Sequence, residues 1–375
     1  MKKKSIWFVW TAALNTPRLT KIAEELDKNK FEVTIVYWDR EFSGQGLEDS
    51  IKKFGNQFNL ISIKTGYAPY GKGIFSLGNR IKYSRGLKKL IKSNINNIDL
   101  LYVCDFDSGF PIRNLMKNFK GISYFDIADY IETFKSPIPS FLRKIIKKLY
   151  LKIYDAASYI VLPDINRLNN IPKKFHNKVK YINNAPNISL SDIEYLDIDI
   201  NKDKTNIAYY GGFSEERGID YLLDLAVEFG DRIDFYFAGW GQLQPKIEQI
   251  AGKYDNVHFI GKLTQNQALG LLEKVDLSYI VYDPSFEHNQ IASPNKMFEA
   301  FMIGRPIIVA NNTSIDKIVE QKECGFVVNY DLNEVRNLLK NIESYDIKEL
   351  ADNASKAYAE YSWENSKKVI HEIIK

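Results

Sequence analysis

The sequence predicts an α/β protein made of two doubly wound parallel sheets, one in each half of the chain. Three observations predict it. A chain of 375 residues is long for a single core, and its apolar and charged fractions, 45% and 26%, are those of a globular protein. Short runs of β-branched and aromatic residues alternate with amphipathic helical patterns, the rhythm of parallel strands joined by crossover helices. Near the middle that rhythm breaks and the charge inverts. Residues 1–186 hold 32 Lys and Arg against 16 Asp and Glu, net +16, while residues 187–375 hold 19 against 31, net −12. These signals place a first domain at residues 1–187, a polar hinge at 188–204, a second domain at 205–360 and a terminal helix at 361–375.

In the first half, Ser5 to Trp10 reads as a buried strand. The preceding lysines lend the start a superficial likeness to a secretory leader, but a helix and a second strand follow at αβ spacing. Thr16 is a good N-cap for a helix that opens at Pro17 and runs through Leu26, and Glu32–Trp38 is the second strand. Further strands are predicted at Asn59–Ile63, Asp99–Cys104, Ile122–Asp126, Ser158–Leu162 and Val179–Ile182. Two acidic clusters end strands here: Asp105 and Asp107, then Asp126, Asp129 and Glu132. The carboxyl ends of strands line the ligand crevice of open parallel sheets, although loop carboxylates also serve as helix caps.

The second half restarts at Thr205 with a strand, the turn Gly211-Gly212, and an amphipathic helix preceded by Arg217-Gly218. The glycines permit close backbone approach, and the guanidinium suits bidentate phosphate binding. Asp234–Ala238 leads into Gly239-Trp240-Gly241, and Val257–Ile260 into Gly261-Lys262. Asp276–Tyr282 is the next strand. The most informative stretch is Ser293–Asn312. Ser293 is expected to cap a helix with Pro294 in its first position, Gly304 stops the helix, and Pro306–Ala310 is a buried strand. The free N–H groups of such a helix start attract anions, Lys296 adds a point charge, and Asn295, Lys296 and Glu299 share one helix face. A strand at Phe326–Asn329 and helices complete the chain.

The stretch SPNKMFEAF resembles the donor-binding motif of the family 4 retaining glycosyltransferases. The likeness extends over nearly the whole chain, including the opening TPRLTKIAEELDKNKFEVTIVYWDR, and is most specific between Asn256 and Val328. It implies the GT-B fold: two Rossmann-like domains facing a cleft, with a C-terminal helix that crosses back to the first. It implies a UDP- or GDP-linked sugar as substrate, with no cofactor and no metal, and transfer to a hydroxyl with retention. Donor binding would fall to Gly211, Gly212, Arg217, Gly239, Gly241, Lys262, Ser293, Pro294, Asn295, Lys296 and Glu299. Glu299 would also take part in catalysis, together with Asp129 and Asp126. Thr11, Asn15, Asp105 and Asp107 would lie on the acceptor side. Two departures stand out. The family has a glutamate eight positions before Glu299, where this chain has Ile291, and many members have a histidine where it has Ala128.

Two widely spaced cysteines and four histidines offer no disulfide framework and no metal-ligand cluster, which points to a reducing, cytoplasmic setting. No apolar run of 18 residues is present to span a membrane. The segment SFLRKIIKKLYLKIY interleaves apolar residues with Arg143, Lys144, Lys147, Lys148 and Lys152, the pattern of a membrane-surface helix. The expected partners are therefore a nucleotide-sugar donor, a glycan or lipid-linked acceptor of cell-surface polysaccharide assembly, and the anionic inner face of a membrane, with nucleic acid not favoured. Other readings are a sugar-nucleotide epimerase of the same fold, a phage-type DNA glycosyltransferase, and a non-catalytic nucleotide-sugar-binding protein.

Overall fold

The computed structural model describes all residues except 1, 12–13, 15–16, 41–44, 69–76, 131–138 and 375. The chain forms two compact units, Met1–Asn183 with Ser366–Lys375, and Asn184–Asn365.

The first unit runs β1 (Lys4–Trp10), α1 (Pro17–Glu24), β2 (Phe31–Asp39), α2 (Gln45–Gly55), β3 (Asn59–Lys64), α3 (Leu77–Asn94), β4 (Leu100–Cys104), α4 (Phe106–Lys117), β5 (Ile122–Asp126), α5 (Ser140–Ala156), β6 (Tyr159–Leu162) and β7 (Val179–Tyr181). Its seven strands pair in the order β3-β2-β1-β4-β5-β6-β7, all parallel. The order reverses direction at β1, so right-handed crossovers put α3, α4 and α5 on one face of the sheet, where α3 packs on α4 and α4 on α5. Helix α3 buries Tyr83, Leu87 and Ile91, a four-residue repeat that makes one inward stripe.

At the carboxyl end of β5 lies a buried ion pair. Arg18 Nε and Nη2 donate to the two oxygens of Asp126 at 2.8 and 2.9 Å, and Nη1 donates to the Ile182 carbonyl at 2.7 Å. The Tyr102 hydroxyl donates to Asp126 at 2.6 Å. Asp126 has no solvent exposure, so the bidentate geometry and the extra donor are what make its ionised form tolerable. The pair ties α1 to β5 and to the end of β7.

The second unit runs β8 (Thr205–Phe213), α6 (Ile219–Ala226), β9 (Ile233–Gly241), α7 (Gln244–Ala251), β10 (Val257–Gly261), α8 (Gln265–Lys274), β11 (Leu277–Ile280), α9 (Asn295–Met302), β12 (Ile307–Ala310), α10 (Ile315–Lys322), β13 (Gly325–Val328), α11 (Leu332–Lys340) and α12 (Ile347–Tyr361). Six parallel strands pair in the order β10-β9-β8-β11-β12-β13. Tyr209, Leu222, Phe235, Phe237 and Ile308 belong to one apolar cluster in its core. Residues 188–204 are counted with this unit and are stitched to α8: the Glu194 amide donates to the Asn266 carbonyl at 3.3 Å, and Lys274 Nζ to the Ile198 carbonyl at 2.9 Å.

The last helix, α13 (Trp363–Ile373), delivers the chain end to the first unit. There the Asn183 amide donates to Ser366 Oγ at 3.0 Å, and the Tyr124 hydroxyl to the Ile373 carbonyl at 3.0 Å. Every strand expected from the sequence forms, with β11 shorter than expected. Among the described residues, no helix is long and apolar enough to cross a membrane.

Asp126→Ala removes one partner of the buried pair and strands the Arg18 guanidinium. The expected loss is about 3–5 kcal/mol of stability in urea unfolding. A loss below about 1 kcal/mol, the range of a surface pair, would contradict this account.

Candidate functional site

In the second unit the candidate site starts from backbone. Strands β8 and β9 end side by side, with Gly211 opposite Gly239. Gly239 has φ +149, and a Cβ there would come within 1.9 Å of the Gly211 carbonyl oxygen. Gly211 has φ +113, and its Cβ would meet Lys296 Cε at 2.7 Å. Glycine at 211 thus opens the lane through which Lys296 crosses the end of β8. Gly212 has open space around it and carries no such constraint.

Lys296 is the second residue of α9, and its Nζ rests on aromatic faces: 4.0 Å from the Tyr209 ring centroid, 5.6 Å from Tyr210 and 6.0 Å from Tyr282. Among the described residues its ammonium forms no hydrogen bond or ion pair, although its carbonyl accepts from the Tyr210 hydroxyl at 3.3 Å. Burial, and secondarily the Arg217 charge, push its pKa down to about 7, against a smaller opposing effect of Glu299. Arg217 lies in a single 3-10 turn just before α6, with its guanidinium 3.9 Å over the Tyr282 ring. Its Nη1 donates to Asn289 Oδ1 at 3.4 Å, and its nearest carboxylate, Glu216, is 3.9 Å away. Two cations therefore lie against one tyrosine ring, and cation–π attraction of about 0.5–2 kcal/mol each is a weak substitute for an anion.

Glu299 follows one turn after the start of α9 and is buried. The Tyr210 hydroxyl donates to Oε2 at 2.8 Å, and Gln265 Nε2 donates to Oε1 at 2.6 Å. Gln265 is the first residue of α8, placed there by a reciprocal capping box between Thr264 and Gln267. These donors fix the carboxylate's rotamer and leave each oxygen a further lone pair for a ligand hydroxyl.

The start of α9 differs from expectation. The capping position is Pro294, with extended φ −73 and ψ 140, and Ser293 stands one residue outside the helix. Proline cannot donate and its side chain cannot cap, so the helix begins at Asn295 without a side-chain cap. Ser293 is buried, its carbonyl accepts from Asn184 Nδ2 at 2.9 Å, and its Oγ has no hydrogen-bond partner among the described residues. Lys262 follows β10 and sits 4.7 Å over the ring of Trp240, an exposed residue between Gly239 and Gly241. Ile291 closes the short turn Asn289–Ile291.

In the first unit the expected residues gather at the carboxyl edge of the sheet but are engaged differently. Asp126 was expected to be catalytic; both of its oxygens are occupied by Arg18 and Tyr102, and the arrangement supports a structural ion pair. Asp107 pairs with Arg80. Asp105 has positive φ, +62, and turns its carboxylate away from its own helix, so that Oδ1 accepts the Ala128 and Asp129 amides at 3.1 and 3.2 Å. Burial and the Asp129 charge raise its pKa to about 8 against those two hydrogen bonds. Asp129 is exposed, Thr11 is buried with its carbonyl facing Arg40 Nη2 at 3.5 Å, and Asn15 lies outside the described residues.

Sequence reasoning missed Tyr209, Tyr210, Tyr282, Gln265 and Asn289. The tyrosines look like core strand residues; Tyr209 and Tyr210 are set apart only by the glycines that follow them, and Tyr282 only by the polar loop it begins after β11. Asn289 is fully buried, and its Nδ2 donates to the Asp283 carbonyl at 2.9 Å, which aims its oxygen at Arg217.

Residues 204–344 match the family model described as Glycosyl transferases group 1. No curated protein sequence matches the chain at a significant level. Solved structures share its fold over nearly its full length. Sucrose-phosphate synthase from Thermosynechococcus elongatus aligns with TM-score 0.74 at 14% identity, covering 99% of this chain and 98% of that one. HepE from Anabaena, in complex with UDP and glucose, aligns with TM-score 0.64 at 14% identity over 99% of both chains. UDP-GlcNAc 2-epimerase from Neisseria meningitidis, bound to UDP-GlcNAc, aligns with TM-score 0.62 at 13% identity over 99% of both. The fold is thus GT-B, with two Rossmann-like parallel-sheet domains, and the match over the second unit supports the glycosyltransferase reading there.

The glycine lane is testable without a ligand. Gly211→Ala should displace Lys296 and cost about 1–3 kcal/mol in thermal unfolding, from positive φ and the clash together. Gly212→Ala should be nearly neutral. Equal effects would mean that Lys296 is not held by the close approach at 211.

Proposed function

We propose that this protein is a retaining glycosyltransferase that moves a sugar from a UDP- or GDP-linked donor to a hydroxyl of a lipid-linked glycan. The observation that carries the donor half is the pair of cations, Lys296 and Arg217, converging on Tyr282 beside the start of α9: the Lys296 ammonium is in no ion pair among the described residues, and Arg217 has only Glu216 at 3.9 Å, beyond hydrogen-bond distance. A diphosphate supplies the missing negative charge. As the bond from the anomeric carbon to the donor phosphate oxygen breaks, charge grows on that oxygen, and these cations with the free amides of the α9 start stabilise it. Retention follows if the acceptor attacks from the face the phosphate leaves: its oxygen bonds to the anomeric carbon and its proton passes to the departing phosphate oxygen. Glu299, held by Tyr210 and Gln265, accepts hydrogen bonds from donor hydroxyls. With Ile291 in place of the family's other glutamate, the sugar is gripped by one carboxylate fewer. On the acceptor side, Asp129 orients the incoming hydroxyl.

The acceptor is proposed to be reached at the cytoplasmic face of a membrane. Epimerisation of a sugar nucleotide is the second reading, and Asp105 is what favours it, because a carboxyl with a pKa near 8 carries a proton at neutral pH. Screening nucleotide-sugars for those that raise the melting temperature, then analysing products with and without acceptor, separates the two. Transfer only with acceptor supports the proposal, and epimer without acceptor overturns it.

Two predictions follow from the donor site. Glu299→Gln should keep the fold and lower kcat/KM by roughly 10- to 100-fold, the value of a hydrogen bond to a charged group. Unchanged kinetics would remove Glu299 from the site.

Lys296 gives the second, with its sign fixed by linkage. In the free protein it is charged below about pH 7 and neutral above. A bound diphosphate prefers the charged form, so affinity is full below pH 7 and falls as pH rises, approaching about tenfold per unit until the bound-state pKa is reached. A nucleotide-sugar has no phosphate proton titrating in this range, so the slope belongs to the protein. Lys296→Arg should flatten it, and Lys296→Ala with Arg217→Ala should be non-additive in a double-mutant cycle. A slope retained in Lys296→Arg would assign the titration elsewhere.

A further inference from the structure

Among the described residues, eight of the exposed large apolar side chains belong to the first unit, and five of the eight lie at one edge of its sheet. Phe141 and Ile145 lie in the first two turns of α5, Leu77 and Ile81 in the first two turns of α3, and Tyr67 just beyond β3, all between 44% and 65% exposed. Both helices follow strands of a parallel sheet, so they begin at its carboxyl edge, and Tyr67 lies at the same edge. Both are on the face formed by α3, α4 and α5. The outward stripe of each helix then changes character. In α5, Phe141 and Ile145 are continued by Lys148 and Lys152, with Lys144 and Lys147 alongside. In α3, Leu77 and Ile81 are continued by Arg85 and Lys88, with Lys82 alongside. Helix α3 has no acidic residue, and α5 has only Asp155, in its last turn. The same order, apolar tip and then cationic collar, occurs on two helices separated by α4.

Solvation does not account for this order. A helix that merely packs on the sheet needs an apolar stripe facing inward, and Tyr83, Leu87 and Ile91 of α3 and Tyr150, Ile153 and Tyr154 of α5 already supply it. The second apolar group points to solvent, at one end of each helix, with a ring of like charges immediately behind it. That sequence of layers matches a bilayer surface with anionic headgroups: apolar tips reach below the headgroups while the ammonium and guanidinium groups lie among the phosphates.

We propose that this edge of the first unit is a docking surface for an anionic lipid bilayer, with the tips of α3 and α5 inserted and Lys82, Arg85, Lys144, Lys147 and Lys148 as the collar. The surface would bring the carboxyl edge of the sheet, where Asp105 and Asp129 lie, toward lipid. The proposal deepens the membrane half of the proposed function and is independent of the donor chemistry, because lipid binding is read without donor or acceptor.

The test is flotation of the full chain with vesicles of phosphatidylcholine alone or mixed with phosphatidylglycerol, at low and high salt. Binding should require phosphatidylglycerol and weaken with salt. Arg85→Gln, Lys144→Gln and Lys148→Gln together should lower affinity about a hundredfold, from about fivefold per charge. Phe141→Ser with Ile145→Ser should lower it about tenfold, mostly in the part that survives salt. Lys117→Gln with Lys174→Gln, exposed cations outside the collar, one in the last turn of α4 and one beyond β6, should change it less than about twofold. These substitutions are at exposed positions, and an unchanged melting temperature reports an intact fold. The proposal is overturned by equal binding to neutral vesicles, by no binding to anionic vesicles at low salt, or by a Lys117 and Lys174 effect as large as the collar's. Tight binding of duplex DNA without vesicle binding overturns it as well. Loss of donor binding with vesicle binding intact would sink only the donor reading.

Discussion

The approach of Lys296 to the side-chain-free end of β8 is the constraint on which the donor-side geometry depends. An ammonium can lie across a strand end only where no Cβ stands, and Gly211 removes it. The lane then decides everything else near it. It brings the charge against Tyr209, Tyr210 and Tyr282 and within electrostatic reach of Arg217, and it strips water from the lysine until its proton is held only weakly. A lysine poised in this way is costly for the protein alone and favourable once a diphosphate arrives. Such local strain of electrostatics is typical of binding sites rather than of structural ion pairs.

The Asp126 pair shows the opposite solution. There a buried guanidinium and carboxylate bond each other through two hydrogen bonds, with Tyr102 donating to the carboxylate and the Ile182 carbonyl accepting from the guanidinium. Asp126 has no exposed surface to offer a substrate. Asp105, one residue past β4, is intermediate: its Oδ1 is spent on two amides, yet burial and a neighbouring carboxylate keep its proton affinity high. Two carboxylates at one sheet edge thus have different electrostatic fates, set by which partners reach them.

Those fates explain what was legible in the residues and what was not. Strands were legible because β-branched and aromatic runs bounded by glycine, asparagine and proline report locally. Gly211, Arg217, Lys296 and Glu299 were legible as neighbours of helix starts and turns, within a few positions of each other or of a strand end. The Arg18–Asp126 bond spans 108 residues, and nothing at either position announces the other. Tyr210 and Gln265 converge on Glu299 from 89 and 34 residues away, and each reads as an ordinary strand or helix residue. The capping error at Ser293 has a different source. Serine is the better cap by propensity, but the extended ψ of Pro294 moves the first helical turn one residue on, and geometry outweighed propensity.

The charge split between the halves is also not what its totals imply. The half with net charge −12 is where the cations proposed to hold a diphosphate are found, and the half with +16 carries the collar lysines on the faces of α3 and α5. The difference lies in solvation. Lys296 and Arg217 lie against tyrosine rings in partly buried positions, where a charge is worth more than on an open surface. The collar lysines of α3 and α5 are solvated, so each contributes little alone and matters only in number, over a Debye length of about 8 Å in physiological salt. Dissolved salt should therefore discriminate between the two groups of cations, weakening what the collar holds far more than what Lys296 and Arg217 hold. Net charge reports the first kind of site and is blind to the second, which is visible only in the packing of two residues around Tyr282.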